Sequence, residues 1–300
     1  MHHVVRFLNY GTSEQLTLEQ LPTPSPLENQ VLIKIVAVGI NPIDWKVREG
    51  FKNVPLPFIP GVEASGLIYK VGQNNKGFEI GQAVYGAIDQ SYAEYAIADP
   101  EFIFIKPSHL TFEEAAVTGG GKTAWGALFD VGQLQRNQRI LIHGASGGVG
   151  IFAVQLSHQA GAYVYATASA KNLSIVKRLG ADEVFDYHHF AVEKRHQFDL
   201  ILDCAGDDRL TSFFPALKKN GTLITIVNPS LIAKAEAAGI KAAWGGTKTS
   251  DAMAQIAERL KTGEIKPVVS KVFHGLSQAA AAQDFSQYGK KQAGKIVLTI

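Results

Sequence analysis

The 300-residue sequence is almost without cysteine, since Cys204 is the only one. A single cysteine excludes an internal disulfide and any structural zinc site built from several cysteines. This usage is typical of a reducing compartment, and we expect a cytoplasmic protein.

The sequence also lacks an excess of charge of either sign, because its formal net charge is only +2. No basic cluster with interleaved aromatic residues is present, which argues against binding of nucleic acid. No apolar run reaches the ~18 residues needed to span a bilayer, and no basic N-terminal region precedes an apolar core as in a secretory signal. We therefore expect neither nucleic acid nor a membrane as a partner.

Two different patterns divide the chain. Residues 1 to about 118 contain short β-branched and apolar runs separated by turn residues, which predicts a small barrel or sandwich. From about Thr123 onward, strand and helix patterns alternate, which predicts an α/β fold with a doubly wound parallel sheet. The predicted strands are RILIHG, YVYATA, EVFDY, DLILDCAG and TLITIV, and the predicted helices include VGIFAVQLSHQAG, NLSIVKRLGA, RLTSFFPALKKNG and SDAMAQIAERLKTG.

The first strand of the predicted sheet runs into a glycine-rich loop, RILIHGASGGVG at residues 139–150. A dinucleotide loop needs a strand before it, a helix after it and glycines where backbone approaches phosphate. Gly147 lies where a side chain would block the pyrophosphate, and Gly150 lies where helix and strand pack closely. Ala145 replaces the first glycine of the usual fingerprint, but Gly144 beside it can supply the tight turn. We predict dinucleotide binding; the alternative is a glycine turn without a ligand.

A long stretch beyond the loop carries no acidic residue: neither Asp nor Glu occurs from Gly144 through Ala181. NAD sites place a carboxylate about 20 residues past the loop to hold the ribose 2′-hydroxyl. Here that region offers Ser169 and Lys171, which suit a 2′-phosphate that a carboxylate would repel. Lys177 and Arg178 lie further along the predicted helix, and we interpret them as solvent-exposed residues of its surface. We predict NADPH as the coenzyme.

Seven stretches carry a resemblance to a known family. They are VGINPIDWKVREG (38–50), IPGVEASGLIYKVG (59–72), FEIGQAVYG (78–86), GKTAWGAL (121–128), ILIHGASGGVG (140–150), LGADEVFDY (179–187) and GKIVLTI (294–300). In this order they resemble the zinc-free branch of the medium-chain dehydrogenase/reductase superfamily, the quinone oxidoreductase and enone reductase group. The resemblance covers essentially the whole chain and is weakest after Val227.

The resemblance implies a domain organisation. It implies a GroES-like, β-rich catalytic domain over residues 1–117, completed by residues 268–300. A Rossmann domain that binds NADPH would occupy residues 118–267, with the active site in the cleft between the domains. The resemblance further implies a homodimer.

The resemblance also implies which residues surround the coenzyme. It places Asn41 and Thr123 near the nicotinamide ribose, Ser146, Gly147, Gly148 and Val149 at the pyrophosphate, Ser169, Lys171 and Tyr187 around the 2′-phosphate, and Ala205 and Val227 beside the nicotinamide half.

The zinc ligands of related families are missing from this sequence. Zinc members have a Cys just before the Asp of the first motif and a His inside GHE; here no Cys is near Asp44, and Val62 stands in place of the His. Valine cannot bind zinc, so we expect no metal. We interpret Glu63 as a structural carboxylate and His143, which ends the first strand of the predicted parallel sheet, as a packed residue.

The reaction expected without a metal is a reduction. Alcohol oxidation is disfavoured because nothing strong stabilises an alkoxide. Reduction of a quinone or of an activated C=C is easier, because charge lands on a conjugated oxygen that needs only hydrogen bonds and a proton. The candidates for that help are Asn41, Asp44 and Lys46, with Tyr92 behind them. An extended NPIDWK segment would put Asp44 and Lys46 on one side, although Lys46 could instead pair with a carboxylate and solvent could supply the proton.

Two competing functions have sequence requirements of their own. A short-chain reductase needs a Tyr with a Lys four residues later, and none of the nine tyrosines has Lys at that spacing. Crystallin-like members of the resembled family keep open a non-catalytic NADPH-binding role. We predict an NADPH-dependent, zinc-independent oxidoreductase whose partner is a small-molecule quinone or enone.

Overall fold

The computed structural model describes residues 1–74, 77–190, 197–246, 251–289 and 292–300. Its strands are β1 (His2–Phe7), β2 (Leu16–Leu21), β3 (Val31–Ile40), β4 (Glu63–Val71), β5 (Ala83–Ala87), β6 (Tyr95–Ala98), β7 (Ile103–Ile105), β8 (Arg139–His143), β9 (Tyr163–Ala168), β10 (Glu183–Asp186), β11 (Phe198–Asp203), β12 (Leu217–Thr225), β13 (Lys241–Trp244), β14 (Val269–His274) and β15 (Lys295–Thr299). Its α-helices are α1 (Pro42–Arg48), α2 (Phe112–Ala115), α3 (Gly119–Trp125), α4 (Gly150–Gln159), α5 (Leu173–Arg178), α6 (Ser230–Ala237), α7 (Ala252–Thr262) and α8 (Ala279–Tyr288). Within the described ranges, no helix is both long and apolar enough to cross a membrane.

The first of two compact units comprises Met1–Gly119, Pro267–Lys291 and Lys295–Ile300. Its main sheet has the strand order β14-β15-β3-β4-β5-β7, with β6 paired to β3, while β1 and β2 pair separately. β3 runs antiparallel to β4, β6 and β15, whereas β14 and β15 are parallel. Ile33 of β3 and Ala282 of α8 are fully buried in the core that this sheet builds.

The second unit comprises Gly120–Lys266 and Gln292–Gly294. Its sheet consists of parallel strands in the order β10-β9-β8-β11-β12-β13. Counted from β8, this order is 3-2-1-4-5-6, that of doubly wound dinucleotide-binding sheets. β11 has the sequence FDLILD and is almost entirely buried, as a continuous apolar strand covered on both faces should be. The predicted α/β fold class is confirmed.

The strand order of this sheet reverses between β8 and β11, whose carboxyl ends lie side by side. Ligands of doubly wound sheets bind at such a point. β8 ends at His143 and leads into the glycine loop at 144–149, and β11 ends at Asp203. The topology therefore puts the glycine loop at the edge where a ligand is expected.

The NPIDWK segment is helical, and the extended conformation expected from its alternation is wrong. Asn41 has extended backbone angles (φ −114°, ψ 151°), and Pro42 takes the first helical position, where its missing N–H removes no hydrogen bond. Asp44 and Lys46 therefore lie about 200° apart around the axis of α1. Asp44 is buried and Lys46 is half-buried, so the two side chains do not share one side.

One helix prediction in the second unit is wrong. The stretch RLTSFFPALKKNG forms a 3₁₀ segment, Asp208–Ala216, and β12 already begins at Leu217. Pro215 lacks an N–H and does not fit the hydrogen-bond ladder of an α-helix. The pattern also did not reveal α6 and β13, which complete this end of the sheet.

Candidate active site

The glycine loop makes its turn at Gly144, which has φ +80°. Ala145 is fully buried, and its N–H donates to the carbonyl of Thr167 on β9 at 2.9 Å. Ala145 can therefore replace the first glycine of the fingerprint, because Gly144 supplies the turn beside it.

Gly147 and Gly150 differ in what surrounds them. A Cβ on Gly150 would lie 2.4 Å from the Gly144 carbonyl oxygen and 2.7 Å from Cα of Ala145, so close packing of α4 on the loop requires glycine. Beyond Gly147 itself and its two chain neighbours, the nearest described atom to a Cβ on Gly147 would be the Gly144 carbonyl oxygen, at 3.4 Å. That space fits a diphosphate approaching the backbone at the N-terminal end of α4, which begins at Gly150. The residues present therefore fit a dinucleotide.

Ser146 of the loop is held by two other segments of the second unit. Its hydroxyl oxygen accepts from Nδ2 of Asn172 at 3.2 Å, and its carbonyl accepts from the Gly294 N–H at 2.9 Å. Gly148 packs at the start of α3, where a Cβ on Gly120 would lie 2.2 Å from its carbonyl oxygen. Asn172 was missed from the sequence because it reads as an ordinary surface residue at a helix start.

Ser169, Lys171 and Tyr187 come together at the carboxyl ends of β9 and β10. The Tyr187 N–H donates to the Ala168 carbonyl at 3.1 Å, which puts Tyr187 beside the residue that precedes Ser169. Ser169 is half-buried and leads into the 3₁₀ segment Ala170–Asn172, on which Lys171 is exposed. Residues that carry a hydroxyl, an ammonium and an aromatic ring thus follow neighbouring strand ends at one corner of the sheet edge.

Asp203, at the end of β11, accepts hydrogen bonds that hold the loops carrying Ala205 and Val227. Its Oδ1 accepts from the N–H groups of Ala205 and Gly206 at 3.0 and 2.8 Å. Its Oδ2 accepts from the Thr225 hydroxyl at 2.8 Å, and that hydroxyl oxygen accepts from the Val227 N–H at 3.3 Å. Ala205 and Val227 are exposed at this edge, while Asp203 is fully buried. The sequence assigned no role to Asp203, although an acidic residue at the end of an apolar strand is a signal for one.

Three further residues lie at or near the ends of elements in the second unit. His143 is packed as predicted: its Nδ1 lies 2.7 Å from Thr167 Oγ1 and its Nε2 lies 3.1 Å from Asp207 Oδ2. Cys204 directly follows β11, which ends one residue before it, and is half-buried; burial raises the pKa of its thiol. Thr123 lies on α3 and is half-buried.

In the first unit, Asn41 and Asp44 are joined across the N-terminus of α1. The Asp44 carboxyl accepts from the Asn41 N–H at 2.8 Å and from the Tyr92 hydroxyl at 3.3 Å, so Tyr92 does lie behind Asp44. Asp44 is 4% exposed, and burial raises its pKa to about 7 despite the lowering effects of the Asn41 N–H and of Lys295. The Asp44 side chain is thus enclosed within the protein.

Glu63 is bound by donor groups from three segments of the same unit. It accepts from Asn41 Nδ2 at 2.9 Å and from the Gly119 N–H at 2.8 Å, and it pairs with Lys295. The two charged side chains are only 9% and 10% exposed, so each would be costly to bury without the other. The interpretation of Glu63 as a structural carboxylate is confirmed, and Lys295 is a partner that the sequence did not reveal.

Both hydrogens of the Asn41 side-chain amide take part in hydrogen bonds within the protein. Nδ2 donates to the Gly39 carbonyl at 3.1 Å and to Glu63 at 2.9 Å. An amide nitrogen has two hydrogens, so neither is left for a ligand. Asn41 can contact a substrate or a ribose only through its oxygen.

Lys46 lies beside two aromatic rings. Its Nζ is 5.6 Å from the ring centroid of Trp45 and 6.0 Å from that of Phe51. Within the part of the chain that the structure describes, no carboxylate pairs with this ammonium. The ion pair considered for Lys46 thus has no partner among these residues.

The position of the missing zinc ligand is taken by a partly exposed apolar side chain, since Val62 is 38% exposed. Over the described ranges, no three His, Cys, Asp or Glu side chains are grouped so that they could hold a metal ion. The donor set beside Asp44 therefore does not fit a zinc site.

Comparison with known proteins identifies relatives along the whole chain. A model of the zinc-binding dehydrogenase family matches residues 179–298, and a model of the alcohol dehydrogenase GroES-like domain matches residues 27–108. The quinone oxidoreductase of Sus scrofa is 30% identical, covering 99% of this chain and 97% of the relative. The 2-methylene-furan-3-one reductase of Solanum lycopersicum is 32% identical, covering 97% and 77%. The solved structure of the quinone oxidoreductase from Coxiella burnetii has a TM-score of 0.89 at 29% identity and covers 100% of this chain and 99% of its own.

The chain belongs to the medium-chain dehydrogenase/reductase superfamily, in its zinc-free group of quinone oxidoreductases and enone reductases. It is therefore an oxidoreductase that works with a nicotinamide coenzyme and a small-molecule substrate. The predicted family is confirmed.

Proposed function

We propose that the protein is an NADPH-dependent, zinc-independent reductase that delivers a hydride to a quinone or to the activated C=C of an α,β-unsaturated carbonyl. The observation that carries the proposal is the glycine loop, which is open at Gly147 and closed by packing at Gly150. The names of the relatives, a quinone oxidoreductase and an enone reductase, support the choice of substrate class. The β-rich unit would be the catalytic domain and the parallel-sheet unit the coenzyme-binding domain.

The preference for NADPH is supported by the distribution of charge at the sheet edge. Ser169, Lys171 and Tyr187 would surround the 2′-phosphate, and Lys171 is exposed there. The first carboxylate after the loop, Asp182, accepts from the Val164 N–H at 2.7 Å. Asp182 comes before β10 and pairs with the start of β9, so it lies at the opposite edge, away from any ribose at the loop.

The chain's own residues would supply the contacts to the substrate oxygen. When bound, the reduced nicotinamide would supply the hydride, which forms the new C–H bond as the C=C π bond breaks. Asn41 has no free N–H and Asp44 is buried, so we assign both to fixing the start of α1. Lys46 then remains as the side chain that donates to the developing oxyanion, and water supplies the proton.

Replacing Lys46 with alanine should lower kcat/KM about tenfold to a hundredfold, the effect of one hydrogen bond to a charged group. The nearby, exposed Lys52 provides a matched control, and Lys52→Ala should leave kcat/KM unchanged. Steady-state kinetics with one quinone and one enone measure both variants. An unchanged kcat/KM in Lys46→Ala would remove Lys46 from the mechanism.

The proposed function is tested by following oxidation of NADPH and NADH with a panel of quinones and α,β-unsaturated carbonyls. We expect turnover with at least one class and a lower KM for NADPH than for NADH. A lower KM for NADH would contradict the coenzyme assignment. Tight NADPH binding without turnover of any panel member would instead favour the non-catalytic role.

A further inference from the structure

Arg209 belongs to the same corner of the sheet edge as Tyr187, although no motif points to it. It follows β11 in the 3₁₀ segment Asp208–Ala216. Its guanidinium carbon lies 4.9 Å from the centroid of the Tyr187 ring, and Nη1 donates to the Tyr187 carbonyl at 3.1 Å. A ring contact and a hydrogen bond to the same residue hold the guanidinium in one orientation.

Tyr187 connects this arginine to Lys171. The Tyr187 N–H is bonded to Ala168, the last residue of β9, and the chain continues through Ser169 to Lys171. β9 and β8 separate β10 from β11 in the sheet, so it is the contact of Arg209 with Tyr187 that brings the loop after β11 to the loops after β9 and β10. These three loops carry an arginine, a lysine and a tyrosine. Two cations and a hydroxyl-bearing ring suit a phosphate dianion better than a ribose hydroxyl.

Asp207, the nearest described carboxylate, engages only part of the hydrogen-bonding edge of the Arg209 guanidinium. Asp207 Oδ2 lies 3.7 Å from Nε of Arg209, and the same oxygen lies 3.1 Å from Nε2 of His143. Asp207 Oδ1 accepts from the backbone N–H of Arg209 at 3.0 Å. The Arg209 side chain is 46% exposed, so a guanidinium with five N–H donors keeps part of its edge open to solvent.

We propose that Arg209 is a specificity-determining residue that binds the 2′-phosphate of NADPH together with Lys171, with the Tyr187 ring as its support. This inference rests on the proposed NADPH preference and deepens it. The competing explanation is that Arg209 only neutralises Asp207, in which case it would not distinguish a 2′-phosphate from a 2′-hydroxyl.

The test is titration calorimetry of the purified protein with NADPH, NADH and adenosine 2′,5′-bisphosphate. Arg209→Gln should weaken binding of NADPH and of the bisphosphate about tenfold or more, and of NADH by less than about twofold. Lys171→Gln should act in the same direction. Arg209→Lys keeps the charge without the planar fork, and its NADPH affinity should lie between those of the wild type and Arg209→Gln.

A second arginine provides a matched control. Arg139 also stacks on a tyrosine, at 5.8 Å from the Tyr163 ring, but at the amino-terminal ends of β8 and β9. Arg139→Gln removes the same kind of contact from the opposite edge of the sheet and should change none of the three affinities.

The outcomes separate this inference from the proposed function. Equal loss of NADPH and NADH affinity in Arg209→Gln, or no loss of either, would overturn the role of Arg209. If Lys171→Gln loses NADPH affinity while Arg209→Gln does not, the NADPH preference stands and only Arg209 is excluded. A wild-type protein that binds NADH as tightly as NADPH would contradict the coenzyme assignment itself, before any variant is measured.

Discussion

Replacing Gly147 with alanine should weaken NADPH binding about tenfold to a hundredfold while leaving the stability of the protein nearly unchanged. The added methyl group would lie 3.4 Å from the Gly144 carbonyl oxygen, an ordinary contact and the nearest described one beyond the chain neighbours, so the folded chain can accept it. It would, however, occupy the space through which the diphosphate reaches the backbone. Titration calorimetry measures the affinity, and urea unfolding measures the stability.

Gly150→Ala is the matched control for this experiment. Its Cβ would lie 2.4 Å from the Gly144 carbonyl oxygen, which is too close for any side chain. We expect this variant to lose about 1–3 kcal/mol of stability, because backbone must move to relieve the clash. If Gly147→Ala binds NADPH normally, the loop does not hold the diphosphate. Equal destabilisation of the two variants would contradict the open space beside Gly147.

The second large effect concerns the buried carboxyl of Asp44. Burial raises its pKa from 3.8 to about 7, and the Glu63 charge adds to this, while the Asn41 N–H, Lys295 and Tyr92 oppose it. Between these two pH values the folded protein holds a proton that the unfolded chain has released. Stability is therefore highest below about pH 4 on this account alone and falls as pH rises to about 7.

Asp44→Asn removes this titration while keeping an oxygen that can accept from the Asn41 N–H and the Tyr92 hydroxyl. A pKa that rises from 3.8 to about 7 corresponds to about 4 kcal/mol between the two limits. The free energy of unfolding of the wild type, minus that of Asp44→Asn, should decrease by several kcal/mol from pH 4 to pH 8. Urea unfolding across this range measures the difference.

The exposed Asp251, which precedes α7, provides the control for Asp44. Asp251→Asn changes an exposed side chain, and its unfolding free energy should run parallel to that of the wild type across the same pH range. Parallel curves for wild type and Asp44→Asn would contradict the enclosed position of Asp44.

The parallel sheet and its loop could be predicted from the sequence for local reasons. A strand covered on both faces, such as β11, must be a continuous apolar run, and this run is visible in the residues themselves. Gly144 and Gly150 are needed for a positive φ and for close packing, and both needs are set within a few residues of the chain. Such features do not depend on distant partners.

The carboxylate cluster of the first unit could not be predicted in the same way. Glu63 bonds to Asn41, to Gly119 and to Lys295, which lies near the other end of the chain. No local pattern marks Lys295 as the partner of a buried acid, because the pairing exists only after β15 has joined β3. Arg209 and Tyr187 likewise meet only in the folded chain, because they follow β11 and β10, which β8 and β9 separate in the sheet.

The NPIDWK segment does carry a sequence signal for a helix. An Asn followed by Pro is a common helix start, because Asn favours the cap position and proline the first turn. The alternation of apolar and polar residues over six positions is too short to outweigh it, since helices and strands both fit so brief a pattern. The helical conformation matters because it puts Lys46 and Asp44 on different sides of α1.

Hydride delivery from NADPH to a conjugated acceptor can be followed with NADPH that carries deuterium at C4 of the nicotinamide. The protein is incubated with an α,β-unsaturated carbonyl from the panel, and the product is examined by mass spectrometry and NMR. We predict one deuterium on the β-carbon, with the hydrogen on the α-carbon derived from solvent. A protein that binds NADPH but forms no reduced product, or forms one without deuterium from either face of C4, would contradict it.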